Sequence, residues 1–428
     1  MSGTENTFSD QSARGRISKI RLLDRLGRWL LGRQLNRLKV GELILVDGSE
    51  EKVHGSRYSG PSITINVTNT QFYGAVAYGG TIGAADAYVY GHWACDDLTG
   101  MVQLLLRNRD ILNGMDGGRA TLVSLLRRIL HWTNRNTKTG SRRNIAAHYD
   151  LGNEFFRLWL DETMMYSSAV FEHDDMTLKE ASEAKLDRIC QKLELSEEDH
   201  VLEIGTGWGG FALHAAKNYG CRVTTTTISK KQYEYAQKEV EKSGMQNLID
   251  LKLKDYRDLD GCYDKIVSIE MIEAVGHQFM DTYFKKCSQL LRHDGMMLLQ
   301  AITIADQRYA GALRAVDFIQ KYIFPGGFLP SVTAMLDSVT RSTDMRIYHL
   351  EDIGPHYAET LKRWRTLFTQ NLSRIREMGF GEDFIRMWHY YYCYCEGAFI
   401  ERAIGDVQIL FVRPGSRRKP LVPALGAR

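Results

Sequence analysis

The strongest constraint on this chain is a series of five short apolar segments separated by helical stretches. They read V-L-E-I-G (201–205), R-V-T-T-T-T-I (222–228), I-D-L-K-L (249–253), K-I-V-S-I (265–269) and M-M-L-L-Q-A-I (296–302). Strands alternating with helices give an α/β fold with a mostly parallel sheet. Ligands in such a sheet bind outside the carboxyl ends of the strands, so the loop after the first strand matters most. Here it is E-I-G-T-G-W-G-G-F (203–211). Its glycines allow close backbone approach, and the helix that follows presents an N-terminus to an anionic group. The spacing departs from the G-x-G-x-x-G of dinucleotide enzymes, and no acid closes the second strand to take a ribose hydroxyl. That strand runs instead into T-I-S-K-K-Q (227–232), and the third is followed by D-Y-R-D-L (255–259).

The rest of the chain has a different texture. Of 428 residues, 44% are hydrophobic and 25% charged, enough for two or three globular domains. The runs E-L-I-L-V (42–46) and S-I-T-I-N-V (62–67), broken by glycines, predict a small α+β amino-terminal domain. Between Arg14 and Lys39 nine basic residues meet one acid, Asp24, and alternate with Ile17, Ile20, Leu23, Leu26, Trp29 and Leu30. This is a basic amphipathic helix, suited to an anionic membrane interface or to packing on its own domain with a solvated basic face. The basic run Arg127–Arg143 reads as a linker, and no nucleic-acid motif accompanies either basic run. The expected division is 14–112 for a lipid- or membrane-facing domain, 113–143 for the linker, 144–412 for the α/β domain and 413–428 for a basic tail. Seven scattered cysteines fit a reducing compartment. Residues 1–11 are polar, and no uncharged run reaches the roughly 18 residues of a spanning helix, so a cytosolic protein is expected. The stretch H-Y-Y-Y-C-Y-C-E-G-A-F (389–399) places Trp388, Tyr391 or Tyr392, Cys395 and Phe399 on one helical face and His389, Cys393 and Glu396 on another. No second Cys/His cluster accompanies it to complete a metal site.

With these motifs in hand, the chain resembles the S-adenosylmethionine-dependent cyclopropane fatty acid synthases and the related mycolic acid methyltransferases. The resemblance rests on H-Y-D-L-G-N-E-F-F (148–156), M-Y-S-S-A-V-F (165–171), the glycine loop, T-I-S-K-K-Q, D-Y-R-D-L, Y-I-F-P-G-G-F-L-P-S (322–331) and C-E-G-A-F, and touches G-T-I-G-A-A-D-A-Y-V-Y-G-H-W (80–93). It covers residues from about 18 to 412. It implies a Rossmann-like class I methyltransferase domain with helical insertions forming an acyl tunnel. Donor contacts are implied for Tyr166, Ser167, Gly205, Gly207, Gly209, Thr227, Ser229, Gln232, Asp255 and Tyr256. Serines and threonines at strand ends also cap helices, and an aspartate such as Asp255 also starts turns.

The implied reaction adds a methyl group to an unactivated cis double bond and leaves a carbocation. Aromatic faces stabilise such a charge by roughly 0.5 to 2 kcal/mol per good contact, which draws attention to Tyr357, Tyr391, Tyr392, Phe324 and Trp388. Ring closure then needs a base, which the family resemblance implies is a bound bicarbonate. Glu273, Tyr357 and the Ile302 backbone match its surroundings, whereas Ser168 and Gln300 replace a cysteine and a histidine; Cys395 matches a further cysteine of the family. The expected activity is that of a cyclopropane-fatty-acyl-phospholipid synthase, peripherally attached to the inner face of the membrane, with a homodimer implied by resemblance. One alternative is an acyl methyltransferase giving a methylene- or methyl-branched chain. Another is a lipid-binding protein with a degenerate methyltransferase domain.

Overall fold

The computed structural model describes residues 22–111, 140, 151–419 and 421. The expected linker lies almost entirely outside the described residues, as does the amino-terminal part of the basic run. The chain forms two compact units that are not consecutive in sequence: Met1–Thr133 with Arg314–Pro325 and Trp364–Ala403, and Asn134–Leu313 with Gly326–Arg363 and Ile404–Arg428. The division expected from the sequence assigned all of 144–412 to one domain, whereas the chain crosses between the units four times after residue 313. Among the described residues no helix is long and apolar enough to cross a membrane.

The first unit holds a four-stranded sheet of β1 (Glu42–Asp47), β2 (Glu50–Gly55), β3 (Ser62–Val67) and β4 (Trp93–Cys95), in the order β2-β1-β3-β4. β1 and β2 form an antiparallel hairpin, and β1 and β3 run parallel. The basic helix exists as Leu22–Leu35 and packs on the Gln71–Val89 helix through Gly27, where a Cβ would stand 2.7 Å from the Tyr73 carbonyl oxygen. Leu31 and Leu35 are buried, while Leu26 and Trp29 remain 41% and 58% exposed beside exposed Arg25 and Arg33. Arg28 is different, pairing with Asp47 and Glu50.

The aromatic stretch lies in a long helix, Glu382–Ile400, of the same unit. A Cβ on Gly397 would meet Val102 at 2.9 Å, so this helix sits close against Leu98–Arg107. His389 Nδ1 lies 3.0 Å from Tyr88 Oη, and Arg365 donates to Glu396. The face carrying His389, Cys393 and Glu396 is therefore committed to packing inside its own unit. Trp388, Tyr391 and Tyr392 are also buried there, around Phe368 and Phe384.

The second unit is built on seven strands: β5 (His200–Ile204), β6 (Arg222–Thr227), β7 (Ile249–Leu253), β8 (Tyr263–Ile269), β9 (Leu291–Ile304), β10 (Arg346–Asp352) and β11 (Ile404–Val412). Their order is β10-β11-β9-β8-β5-β6-β7. The five strands legible in the sequence are the parallel ones, and β11 and β10 add antiparallel pairs at the β9 edge. Leu202, Ile266, Met297, Leu299 and Ile409 face one buried layer, and Val201, Val223, Val267 and Leu298 face the other. Apolar residues on both faces are what a helix-covered sheet requires. The chain leaves β5 toward β6 and later returns to pair β8 on the other side of β5, which puts the switch point between the carboxyl ends of β5 and β8.

Candidate active site

Two turns flank this switch point. After β5, Gly205, Gly207 and Gly209 have φ of 106°, 53° and 94°, all in the left-handed half of backbone space that favours glycine. The amides of Gly205 and Thr206 both donate to the Thr226 carbonyl at 3.0 Å, tying the loop to β6. A Cβ on Gly207 would meet nothing within 4 Å among the described residues, so this bend borders open space, as a backbone that approaches a bound molecule must. The helix Gly210–Tyr219 begins there, and its Gly210 lies against Met165. Trp208 Nε1 donates to Asn153 Oδ1 at 2.9 Å, which joins the glycine loop to the G-N-E-F-F segment. This arrangement fits the donor that the sequence predicts.

The neighbouring donor positions also serve local structure. Ser229 caps the Lys230–Ser243 helix by accepting from the Gln232 amide, and Thr227 donates to Gln232 Oε1 at 2.9 Å. Asp255 is buried, starts a short 3-10 turn and is gripped by Arg257 at 2.7 and 2.8 Å. Tyr256 packs edge-on against Tyr283. Tyr166 packs with Phe156 and Trp159. All these residues lie at or next to the carboxyl ends of β5, β6 and β7, or in the loop packed over them.

After β8 the structure holds a residue that the sequence reading passed over. Glu270 has φ of 46°, uncommon for a residue with a side chain, and its carboxylate is surrounded by donors. Oε1 accepts from Ser167 Oγ at 2.7 Å, the Ser168 amide at 2.9 Å and Gln300 Nε2 at 2.8 Å; Oε2 accepts from Tyr357 Oη at 2.7 Å. Three residues expected around a separate anion, Ser168, Gln300 and Tyr357, thus converge on this side chain. Ser167, expected at the donor, joins them. The Ser168 hydroxyl does not, since it donates to the Ala169 carbonyl.

Glu273 lies one turn further on and is held differently. Oε1 accepts from the Ile302 amide at 2.6 Å, so that backbone group is occupied by the glutamate itself. Oε2 is shut off from solvent with no hydrogen-bond partner among the described residues. Burial pushes the carboxyl up to about 8, and the charge of Glu270 adds to the effect. Asp406 on β11 accepts from the same Gln300 amide at 2.9 Å, and burial raises it well above the carboxylate range. The buried Lys185 donates to Ser167 Oγ at 3.2 Å. Burial pulls its ammonium down to about 8, with Glu270 and Asp406 acting in the opposite sense. Glu203, at the end of β5, is also pushed up to about 8 by burial and accepts from Thr225 at 2.5 Å. Lys185, Glu203 and Asp406 had no role in the sequence reading. Glu270 carried a signal in S-I-E-M-I-E, an acid directly after the last residue of β8 at a switch point. Cys395 lies in the other compact unit, on the Glu382–Ile400 helix.

Comparison with known proteins agrees with this geometry. The family model for mycolic acid cyclopropane synthetase matches residues 136–409. The chain is 37% identical over 356 residues to a tuberculostearic acid methyltransferase of Mycobacterium tuberculosis, covering 78% of this chain and 80% of the relative. It is 36% identical over 351 residues to the cyclopropane-fatty-acyl-phospholipid synthase of Escherichia coli, covering 82% and 87%. The solved mycolic acid cyclopropane synthase CmaA1, complexed with SAH and CTAB, superposes with a TM-score of 0.60 at 33% identity over 64% of this chain and 98% of that one. Coclaurine N-methyltransferase, at 21% identity and a TM-score of 0.59, shares the fold. The chain therefore belongs to the mycolic acid cyclopropane synthetase family, whose members are S-adenosylmethionine-dependent methyltransferases of lipids.

Proposed function

We propose that this enzyme methylates the cis double bond of an unsaturated acyl chain carried by a membrane phospholipid, with a cyclopropane as the main product. S-adenosylmethionine supplies the electrophilic methyl group at the glycine loop. The observation that carries the reading is the pair of carboxyls, Glu270 and Glu273, at the turn beside that loop. An unactivated alkene has no lone pair to offer, so its methylation leaves a cation that must shed a proton, and a proton acceptor is needed beside the donor. The relative in Escherichia coli, whose name states this activity, supports the assignment.

A second reading has support of its own. Gln300 and Ser168 stand where the resemblance leads one to expect a histidine and a cysteine, so the anion cradle is rebuilt. A hydride shift before proton loss gives a methylene branch, and the relative in Mycobacterium tuberculosis is named a tuberculostearic acid methyltransferase, not a cyclopropane synthase. Membrane attachment through the Leu22–Leu35 helix belongs to the same proposal, supported by exposed Trp29 and Leu26 beside Arg25 and Arg33. The test is lipid analysis after expression in a host lacking this chemistry. Acyl chains should gain one CH2 and resist mild hydrogenation if the ring forms, and take up hydrogen if a methylene forms. Unchanged acyl chains overturn the proposal.

A further inference from the structure

The resemblance places a dissolved anion at the centre of this site, but the side chains that would hold it are already engaged. We propose that the Glu270 carboxylate is the built-in base of the reaction and does the work of a dissolved bicarbonate. The inference rests on the reading of the site as one that methylates an alkene.

A carboxylate has about four lone-pair positions, two on each oxygen. Oε1 receives three donors, from Ser167, the Ser168 amide and Gln300, and is saturated. Among the described residues Oε2 receives only the Tyr357 hydroxyl, which leaves one position on it open. Glu270 is half-buried, whereas Ser167, Ser168, Gln300 and Tyr357 are buried, so the cradle is enclosed and its occupant still has an accessible edge. The Gly205 bend lies against Met271, the next residue, where a Cβ would stand 3.2 Å from the methionine side chain. Donor loop and carboxylate are thus adjacent. A left-handed backbone at a residue with a side chain persists only where its surroundings hold it, and here four residues do so through five hydrogen bonds: the four donors, and Gln300 again, whose carbonyl accepts from the Glu270 amide at 2.9 Å.

The step balances without a further reagent. The alkene π pair forms the new C–C bond to the methyl carbon as the S–CH3 bond breaks, and its electrons stay on sulfur. A C–H bond of the new methyl then breaks, its pair closes the ring onto the cationic carbon, and the proton passes to Glu270 Oε2. The carboxylic acid returns that proton to solvent after product leaves. Gln300, Tyr357, Ser167 and Lys185 are positioning residues in this scheme.

Two measurements on the full chain test it. Wild-type turnover on oleoyl phospholipid vesicles is compared in carbon-dioxide-free buffer with and without added bicarbonate, and the inference expects no difference. Glu270→Gln should retain donor affinity and lose turnover by on the order of 10² or more. Glu270→Gly keeps the left-handed bend and empties the cradle, so its low turnover should rise when bicarbonate or formate is added. If Glu270→Gln does not fold, the glycine variant and the wild-type comparison still decide. Wild-type turnover that depends on bicarbonate, or a folded Glu270→Gln enzyme with near-normal turnover, overturns the inference. A wild-type enzyme that binds donor but methylates no acyl chain would instead overturn the proposed function.

Discussion

At the residue scale the site is a contest between burial and hydrogen bonding for neighbouring carboxyls. Among the described residues Glu270 has four donors, whereas Glu273 has one backbone amide and an unpartnered oxygen. The consequence for Glu273 has a definite sign. Its folded value is about 8 against an ordinary 4.5, so between those values the folded state keeps a proton that the unfolded state has lost. Stability therefore falls as pH rises through that window. Glu273→Gln should flatten the decline of melting temperature between pH 5 and 8 and leave donor affinity intact. A variant with the wild-type slope would remove Glu273 from this role. Its position was legible in the sequence from the family motif. Glu270 was not, because its importance comes from a left-handed bend and from contacts spread over residues 167, 168, 300 and 357, none of which is near it in the chain.

At the element scale the five parallel strands were readable because each is a short apolar run beside a helical stretch. β10 was not, since R-I-Y-H-L-E-D carries four charged or histidine side chains and gains its place by pairing with β11. The glycine loop behaves as its composition predicts. Gly207→Val introduces a β-branched residue at a φ of 53°, into the open space where we propose that the donor binds, and should abolish donor binding by calorimetry. A folded valine variant with normal affinity would take this loop out of the donor site. The basic helix packs one face on Gln71–Val89 and leaves Trp29 and Leu26 outside. Arg28 is spent on Asp47 and Glu50, so the side chains to change are Arg25, Trp29 and Arg33. Replacing the arginines by glutamate and the tryptophan by serine should weaken sedimentation with anionic vesicles and leave donor affinity unchanged. Sedimentation equal to wild type would contradict a membrane role for the helix.

At the scale of the whole molecule, two compact units are woven from alternating pieces of one chain. That is why the sequential division misassigned the aromatic helix: local pattern gives a helix with two faces, but only long-range contacts such as His389 with Tyr88 reveal which unit it joins. The account stands or falls on the acceptor. The most direct measurement uses purified enzyme, vesicles of an oleoyl phospholipid and a donor carrying a 13C-labelled methyl group, followed by NMR of the extracted lipid. The account predicts the labelled carbon on the acyl chain at the former double bond, as a high-field cyclopropyl signal or, under the second reading, a vinylidene signal. Label found only on the headgroup, or donor consumed with no label in the acyl chain, would contradict it.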